Sequence, residues 1–203
     1  VWGELSNKMK KNILFLGDND NKLIQFIKSS DCNVIQTQNK ININFLLDNN
    51  IDFVVSYGYR YIIDDKVVKF FDKKIINLHI SYLPYNRGAS PNIWSIVEDT
   101  KKGVSIHYVD ETLDTGEILI QKQLHFDDNI SLKDSYKILK KEIEKLFKLN
   151  WNKLVNNKIL SQKQSTSGSF HTVNQTNILL EKLNIDGWDI TLKDLKKRWS
   201  KIK

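Results

Sequence analysis

Short apolar runs alternate with segments of helical periodicity over the first eighty residues. The run NILFLG at Asn12–Gly17 ends in glycine and has no polar face, which is typical of a strand buried on both sides. Comparable runs predict three further strands, at Asn33–Gln36, Asp52–Tyr57 and Ile75–His79. The intervening segments are predicted helices, at 18–30, 41–49 and 64–71. This alternation predicts an α/β fold with a Rossmann-like, mostly parallel sheet flanked by helices.

The pattern changes after His79. A helix is predicted over 89–98, with Pro91 in its first turn, and alternating residues predict two strands. These strands are Gly103–Val109 and Glu117–Phe126. A long amphipathic helix is predicted over 131–155, capped by Ser131, with Tyr136, Leu139, Ile143, Leu146, Phe147 and Leu154 on its apolar side. We predict a loop over 161–176 and another amphipathic stretch over 177–200.

We divide the chain at the end of the long helix. Residues 9–156 are the predicted catalytic domain, and residues 157–203 are a C-terminal helical and hairpin extension that is a candidate for dimerisation. Residues 1–8 precede Met9, the one methionine, and are excluded from the fold as upstream or vector sequence.

Composition narrows the function classes. The net charge is +7, but the lysines are spread along the chain, so an anionic small molecule fits better than nucleic acid. No apolar run approaches the ~20 residues of a membrane span, and no signal peptide is visible. One cysteine, Cys32, excludes an intramolecular disulfide and leaves too few thiols for a zinc site. A cytoplasmic location is expected.

The densest group of chemically active residues follows the fourth predicted strand. Asn77 and His79 are two apart on that strand and therefore share a face, at the end where open α/β sheets bind ligands. They fit either a reactive site or hydrogen bonds to their own loop. Asp114 lies in the turn LDTG, where aspartate and glycine most often serve turn geometry.

Taken together, NLHISYLPYNRGASPNIW and GVSIHYVDETLDTGEILIQ resemble the folate-dependent formyltransferase family. The resemblance is close over residues 52–122 and extends over 9–200. It implies that Asn77, His79 and Asp114 are catalytic. His79 would take a proton from the attacking amine, or, if held protonated by Asp114, stabilise the oxyanion; the sequence leaves both open.

The resemblance also implies the binding residues. The pterin of the folate would lie against the main chain of Tyr61, Ile62 and Ile63, and beside Asp110. Tyr59, Arg60, Arg87 and Gly88 are candidates for the sugar nucleotide, because arginine matches the geometry of a pyrophosphate. N10-formyltetrahydrofolate is the expected co-substrate, and no metal is expected. We predict that His107 is structural or lines the crevice, and we assign no role to His125.

Three acceptors are known in this family. The run at 86–94 and the segment Gly168–His171 resemble sugar N-formyltransferases, of the dTDP-4-amino-4,6-dideoxyglucose type, which serve cell-surface polysaccharide (O-antigen) synthesis. The methionyl-tRNA enzyme carries an additional C-terminal domain, for which the segment after residue 131 is short. Glycinamide ribonucleotide formyltransferase, a 3-amino sugar as acceptor and a non-catalytic folate- or nucleotide-binding module stay open as alternatives. The expected assembly is a homodimer, without nucleic acid or membrane.

Overall fold

The computed structural model describes residues 10–19, 22–165 and 167–203, so the predicted upstream segment 1–8 and Met9 lie outside it. Within the described residues the chain forms two compact units, which divide between Ile75 and Ile76. Among the helices of the described residues, none has the length and apolar character needed to cross a membrane.

The first unit is built on three parallel strands in the order β2-β1-β3. These are β1 (Asn12–Gly17), β2 (Asn33–Thr37) and β3 (Phe53–Tyr57). The strands are separated along the chain by helices, which are α1 (Lys22–Ser29), α2 (Ile43–Asp48) and α3 (Asp65–Phe70). Ile13 to Leu16 of the central strand are completely buried, as the apolar run predicts.

The second unit contains an antiparallel set of three strands. They are β4 (Ile75–His79), which belongs to this unit from Ile76 onward, β6 (Lys102–Tyr108) and β7 (Ile118–Leu124). β6 pairs with both of the others. The register places Asn77 directly opposite His107 and His79 opposite Ser105. The pairing of β6 with β7 shifts register between Ile106 and His107. Both predicted strands of this region are therefore present, within one or two residues of their predicted ends.

A short two-stranded sheet in the second unit was not predicted. β5 (Arg87–Gly88) pairs in parallel with β8 (Phe170–His171). The prediction of a loop over 161–176 is therefore wrong for residues 170–176, which form β8 and then the start of a helix. Thr172 caps that helix through a capping box with Gln175, so a polar sequence here begins a helix instead of extending a loop.

The helices of the second unit enclose one apolar cluster. They are α4 (Pro91–Val97), α5 (Leu132–Val155), α6 (Val173–Lys182) and α7 (Leu192–Trp199). The cluster is formed by buried side chains from all four, including Ile93, Trp94, Leu132, Leu179, Leu192 and Leu195. The stretch predicted at 177–200 is therefore two helices. On α5, Ser131 caps as predicted, but Tyr136 is 40% exposed and Trp151 is buried in the apolar stripe.

Candidate active site

The two predicted catalytic residues of β4 lie at the end of that strand. Asn77 is half-buried and His79 is buried, with 7% of its surface exposed. Because they are two residues apart in a strand, their side chains leave the same face of the backbone. Neighbouring β6 contributes His107 to the same neighbourhood, since it pairs with Asn77.

Asp114 reaches this pair from the turn between β6 and β7. Its φ of 57° places it in the left-handed region, which aspartate tolerates better than most residues. Its Oδ1 accepts a hydrogen bond from Asn77 Nδ2 at 3.1 Å, and its Oδ2 accepts one from the Gly88 N–H at 2.8 Å. The Nδ1 atom of His79 lies 3.7 Å from the same Oδ2. The structure thus brings Asn77, His79 and Asp114 together, as the sequence predicts.

The surroundings of Asp114 and His79 lower the pKa of both groups, with different consequences for their charge. Burial alone would raise the pKa of Asp114, but His79, His107 and the Gly88 N–H together hold that pKa well below its usual range. Burial lowers the pKa of His79 below its ordinary value, although the nearby Asp114 carboxylate opposes this. Near neutral pH we therefore assign an ionised Asp114 and an uncharged His79.

The hydrogen-bond partners also assign the ring nitrogens of His79. Its Nε2 lies 3.2 Å from the main-chain carbonyl oxygen of Asn86, and a carbonyl can only accept, so Nε2 donates a hydrogen. In the uncharged ring, Nδ1 then carries the lone pair. A proton gained at Nδ1 would face the carboxylate of Asp114, which would stabilise the charged ring.

His107 belongs to the same cluster and contacts both Asn77 and Asp114. Its Nε2 lies 3.3 Å from Asn77 Nδ2 and 3.5 Å from Asp114 Oδ1, while its Nδ1 lies 2.8 Å from the carbonyl oxygen of Tyr108. The ring is almost completely buried, with 1% of its surface exposed. The shift in register next to His107 is the kind of irregularity that re-aims a side chain near a site. Sequence alternation indicated a buried position but could not show these partners.

The loop after β4 is held by a buried asparagine that the sequence analysis did not single out. Asn86 has no exposed surface, and its amide nitrogen donates to Glu98 Oε2 at 3.1 Å and to Ser169 Oγ at 3.3 Å. Its Oδ1 accepts from Thr100 at 2.7 Å. Because the Asn86 carbonyl oxygen also accepts from His79 Nε2, this network holds the His79 ring on its Nε2 side.

Gly88 lies in β5, where the chain that follows β4 pairs with β8. Its φ is 83°, and a Cβ added there would lie 2.3 Å from the carbonyl oxygen of His171. Only glycine combines this backbone geometry with such a close approach. The approach brings the Gly88 N–H to Asp114, so this predicted substrate residue binds the Asp114 carboxylate through its backbone.

Arg87 is held by a glutamine from the segment after the long helix. Its Nε and Nη2 atoms both donate to Gln164 Oε1, at 3.0 and 2.7 Å. The Nε2 atom of Gln164 donates to the carbonyl oxygens of Asp114 and Gly116, at 2.8 Å each. Gln164 lies in a polar stretch without periodicity, so no pattern in the sequence indicated its role.

The other predicted binding residues lie in connecting segments. In the first unit, the hydroxyl of Tyr59 donates to the Asn39 carbonyl at 2.7 Å, and its ring meets Tyr61 edge to face. Arg60 and Ile62 are exposed, whereas Ile63 is buried. In the second unit, Asp110 is exposed and accepts from the Glu111 N–H at 2.6 Å. Across the described ranges, no three His, Cys, Asp or Glu side chains are grouped as they would be to hold a metal ion.

Comparison with solved structures shows the fold. The formyltransferase PseJ from Anoxybacillus kamchatkensis, solved in complex with UDP-4,6-dideoxy-4-formamido-L-AltNAc and tetrahydrofolate, is 43% identical. It aligns with a TM-score of 0.86 over 92% of this chain and 99% of its own. A 4-N formyltransferase from Francisella tularensis is 22% identical, with a TM-score of 0.73 over 94% of this chain and 87% of its own. The predicted α/β formyltransferase fold is confirmed.

Sequence comparison identifies relatives of a second kind. Methionyl-tRNA formyltransferase from Clostridium tetani is 28% identical over 155 residues, which cover 76% of this chain and 49% of that protein. The same enzyme from Finegoldia magna is 41% identical over 91 residues, which cover 44% of this chain and 29% of that protein. This chain thus spans less than half the length of these curated relatives. The family model described as formyl transferase matches residues 6–149, and the chain belongs to that family.

Proposed function

We propose that this protein transfers a formyl group from N10-formyltetrahydrofolate to the amine of a nucleotide-linked amino-dideoxy sugar. The observation that carries the proposal is the convergence of Asn77, His79 and Asp114, with Asp114 bound to both Asn77 and the Gly88 N–H. The similarity to PseJ supports it, because PseJ was solved with tetrahydrofolate and a formylated UDP-sugar.

We assign the roles that the sequence leaves open from the burial and partners of these side chains. Formyl transfer forms a carbon–nitrogen bond to the acceptor amine, breaks the bond to the folate nitrogen, and moves one proton from the amine to that nitrogen. His79, with its pKa lowered by burial, is the base that accepts this proton at Nδ1. Asp114 stays ionised and stabilises the charged ring. His79 then returns the proton to the leaving folate nitrogen.

Asn77 orients the reacting groups. Its amide nitrogen faces Asp114 and the Nε2 of His107, so its carbonyl oxygen is left to accept a hydrogen from the acceptor amine. Positioning an amine against a carbonyl group in this way is a large part of the rate enhancement of acyl transfer.

The donor and acceptor residues follow from the family resemblance. We assign the main chain of Tyr61–Ile63, and Asp110, to the folate, and Tyr59, Arg60, Arg87 and Gly88 to the sugar nucleotide. The acceptor we propose is a 4-amino-4,6-dideoxy sugar, in line with the 4-formamido sugar bound to PseJ. The resemblance to dTDP-sugar enzymes favours dTDP as its nucleotide, whereas PseJ was solved with a UDP-linked sugar. We expect a homodimer.

The test is a formylation assay with the purified chain and N10-formyltetrahydrofolate. The acceptors are UDP- and dTDP-linked 4-amino sugars, their 3-amino isomers, glycinamide ribonucleotide and methionyl-tRNA, and the products are identified by mass spectrometry. We expect a mass gain of one formyl group on a 4-amino sugar nucleotide and on no other acceptor. Formylation of methionyl-tRNA or glycinamide ribonucleotide alone would overturn the proposed acceptor, and no formylation of any acceptor would overturn the activity.

A further inference from the structure

We infer that Gln164 is a positioning residue for this reaction. Its side chain links the turn that carries Asp114 to the guanidinium group of Arg87. The inference rests on the proposed function. Gln164 lies in the segment after α5. Along the chain it is 50 residues from Asp114 and 77 residues from Arg87.

All hydrogen-bonding positions of the Gln164 amide are used. A carboxamide has two hydrogens to donate and two lone pairs to accept with. Both donors go to main-chain carbonyls, those of Asp114 and Gly116, and the oxygen accepts from Arg87 Nε and Nη2. A side chain satisfied in this way is fixed in one orientation and fixes its partners in return.

The site requires a side chain that donates on one side and accepts on the other. The two carbonyls need a donor, which glutamate lacks. The guanidinium group of Arg87 needs an acceptor, so lysine or arginine in place of Gln164 would place two cations together. Asparagine has the right chemistry but a shorter reach. The arrangement is therefore specific for glutamine.

Each side of Gln164 acts on a different part of the reaction. The turn from Asp114 to Gly116 is tightly packed, since a Cβ at Gly116 would lie 1.8 Å from the Tyr108 carbonyl oxygen. Holding its carbonyls therefore holds the Asp114 carboxylate against Asn77 and Gly88. On the other side, Gln164 engages one edge of the half-buried Arg87, which leaves Nη1 for an anionic group of the substrate.

Three variants separate the two effects. Gln164→Glu keeps the acceptor for Arg87 and loses both donors, so we expect kcat to fall about 10-fold while KM for the sugar nucleotide stays within about 3-fold. Arg87→Met should raise that KM about 10-fold and leave kcat within about 3-fold. Gln164→Met should show both changes. Gln162→Met, an exposed glutamine two residues away, is the matched control and should show neither.

A second measurement does not depend on turnover. Four histidines give few signals, so NMR with ¹⁵N-histidine can follow His79, whose signals are identified by their loss in His79→Asn. Because the Asp114 carboxylate raises the pKa of His79, loosening its turn in Gln164→Met should lower that pKa. Circular dichroism confirms that each variant is folded.

The outcomes separate this inference from the proposed function. If wild type formylates an amino sugar, the kinetics decide, and a kcat within about 2-fold of wild type in both Gln164 variants overturns the role of Gln164. If wild type formylates nothing, the proposed function fails and the titration decides. An unchanged His79 pKa in folded Gln164→Met then overturns the positioning role, and a lowered pKa supports it.

Discussion

The Nδ2 atom of Asn77 lies 3.3 Å from the Nε2 atom of His107, at directly opposed positions of β4 and β6. The Nδ1 atom of His107 faces a carbonyl oxygen, so this nitrogen carries a hydrogen, and in the uncharged ring Nε2 is an acceptor. The asparagine amide therefore has one possible orientation, with its nitrogen toward His107 and Asp114. Asp114 and His107 together thus fix which end of Asn77 meets the substrate.

For this reason His107→Asn should lower kcat. Loss of this acceptor leaves the Asn77 amide held by Asp114 alone. We therefore expect a decrease of about 10-fold, without the complete loss that removal of a proton acceptor causes. Steady-state formylation kinetics measure it. His125→Asn, at an exposed histidine, is the control. If His107→Asn were as active as that control, His107 would contribute only to packing.

His79→Asn should lower kcat by at least about 10²-fold, because asparagine cannot gain and lose a proton near neutral pH. Binding of the folate and the sugar nucleotide, measured by calorimetry, should persist. If kcat stayed near its wild-type value, the proton would have to pass through Asp114 or water.

The pH dependence of kcat should show the lowered pKa of His79. The base must be uncharged, so activity falls as pH falls through that pKa, with a midpoint below the ordinary value of about 6.5. In Asp114→Asn the carboxylate that raises the pKa is gone, so any residual activity should have its midpoint at still lower pH. Rates at saturating substrates from pH 4.5 to 9 test this. A wild-type midpoint above 6.5 would contradict the assignment of an uncharged base.

Asp114 should also make the protein sensitive to acid. Its pKa is lower in the folded state than in the unfolded chain, so its contribution to stability is complete above about pH 4 and is lost as pH falls further. The free energy of unfolding should therefore decrease less below pH 4 in Asp114→Asn than in wild type. Urea unfolding at pH 5 and pH 3 gives the comparison, and equal decreases in the two proteins would refute the expectation.

Gly88→Ala should destabilise the second unit. The new Cβ would clash with the His171 carbonyl at a positive φ, and we expect a loss of about 1–3 kcal/mol in the free energy of unfolding. Gly187→Ala is the matched control, because a Cβ at Gly187 meets no atom within 4 Å. Thermal unfolding of both variants measures the difference. A Gly88→Ala protein as stable as the Gly187→Ala control would show that the loop shifts at little cost.

Sequence patterns predicted the parts of the fold that have a period. β1 was clear because it is a continuous apolar run, and α5 because burial repeats along it with the helical period. Asn77 and His79 were found because strand spacing places them on one face. β5 and β8 have two residues each and thus no period, and their pairing joins segments far apart along the chain. Gln164 could not be found in this way, since its role depends on carbonyl groups that every residue carries. The contact of His107 with Asn77 depends on the register between β4 and β6, which the alternation of apolar and polar residues alone does not give.

The parallel pairing of β5 with β8 bears on how such enzymes diversify. The family model ends at residue 149, whereas Gln164, Ser169 and His171 lie beyond that point and contact the loop after β4, at Arg87, Asn86 and Ala89. In a chimera that joins residues up to 149 of this chain to the tail of a distant relative, the contacts that Gln164, Ser169 and His171 make with the loop after β4 would be replaced by those of a foreign tail. Recombination at that boundary should therefore impair formyl transfer even when Asn77, His79 and Asp114 are all retained. Activity should return only when the tail and the loop come from the same parent.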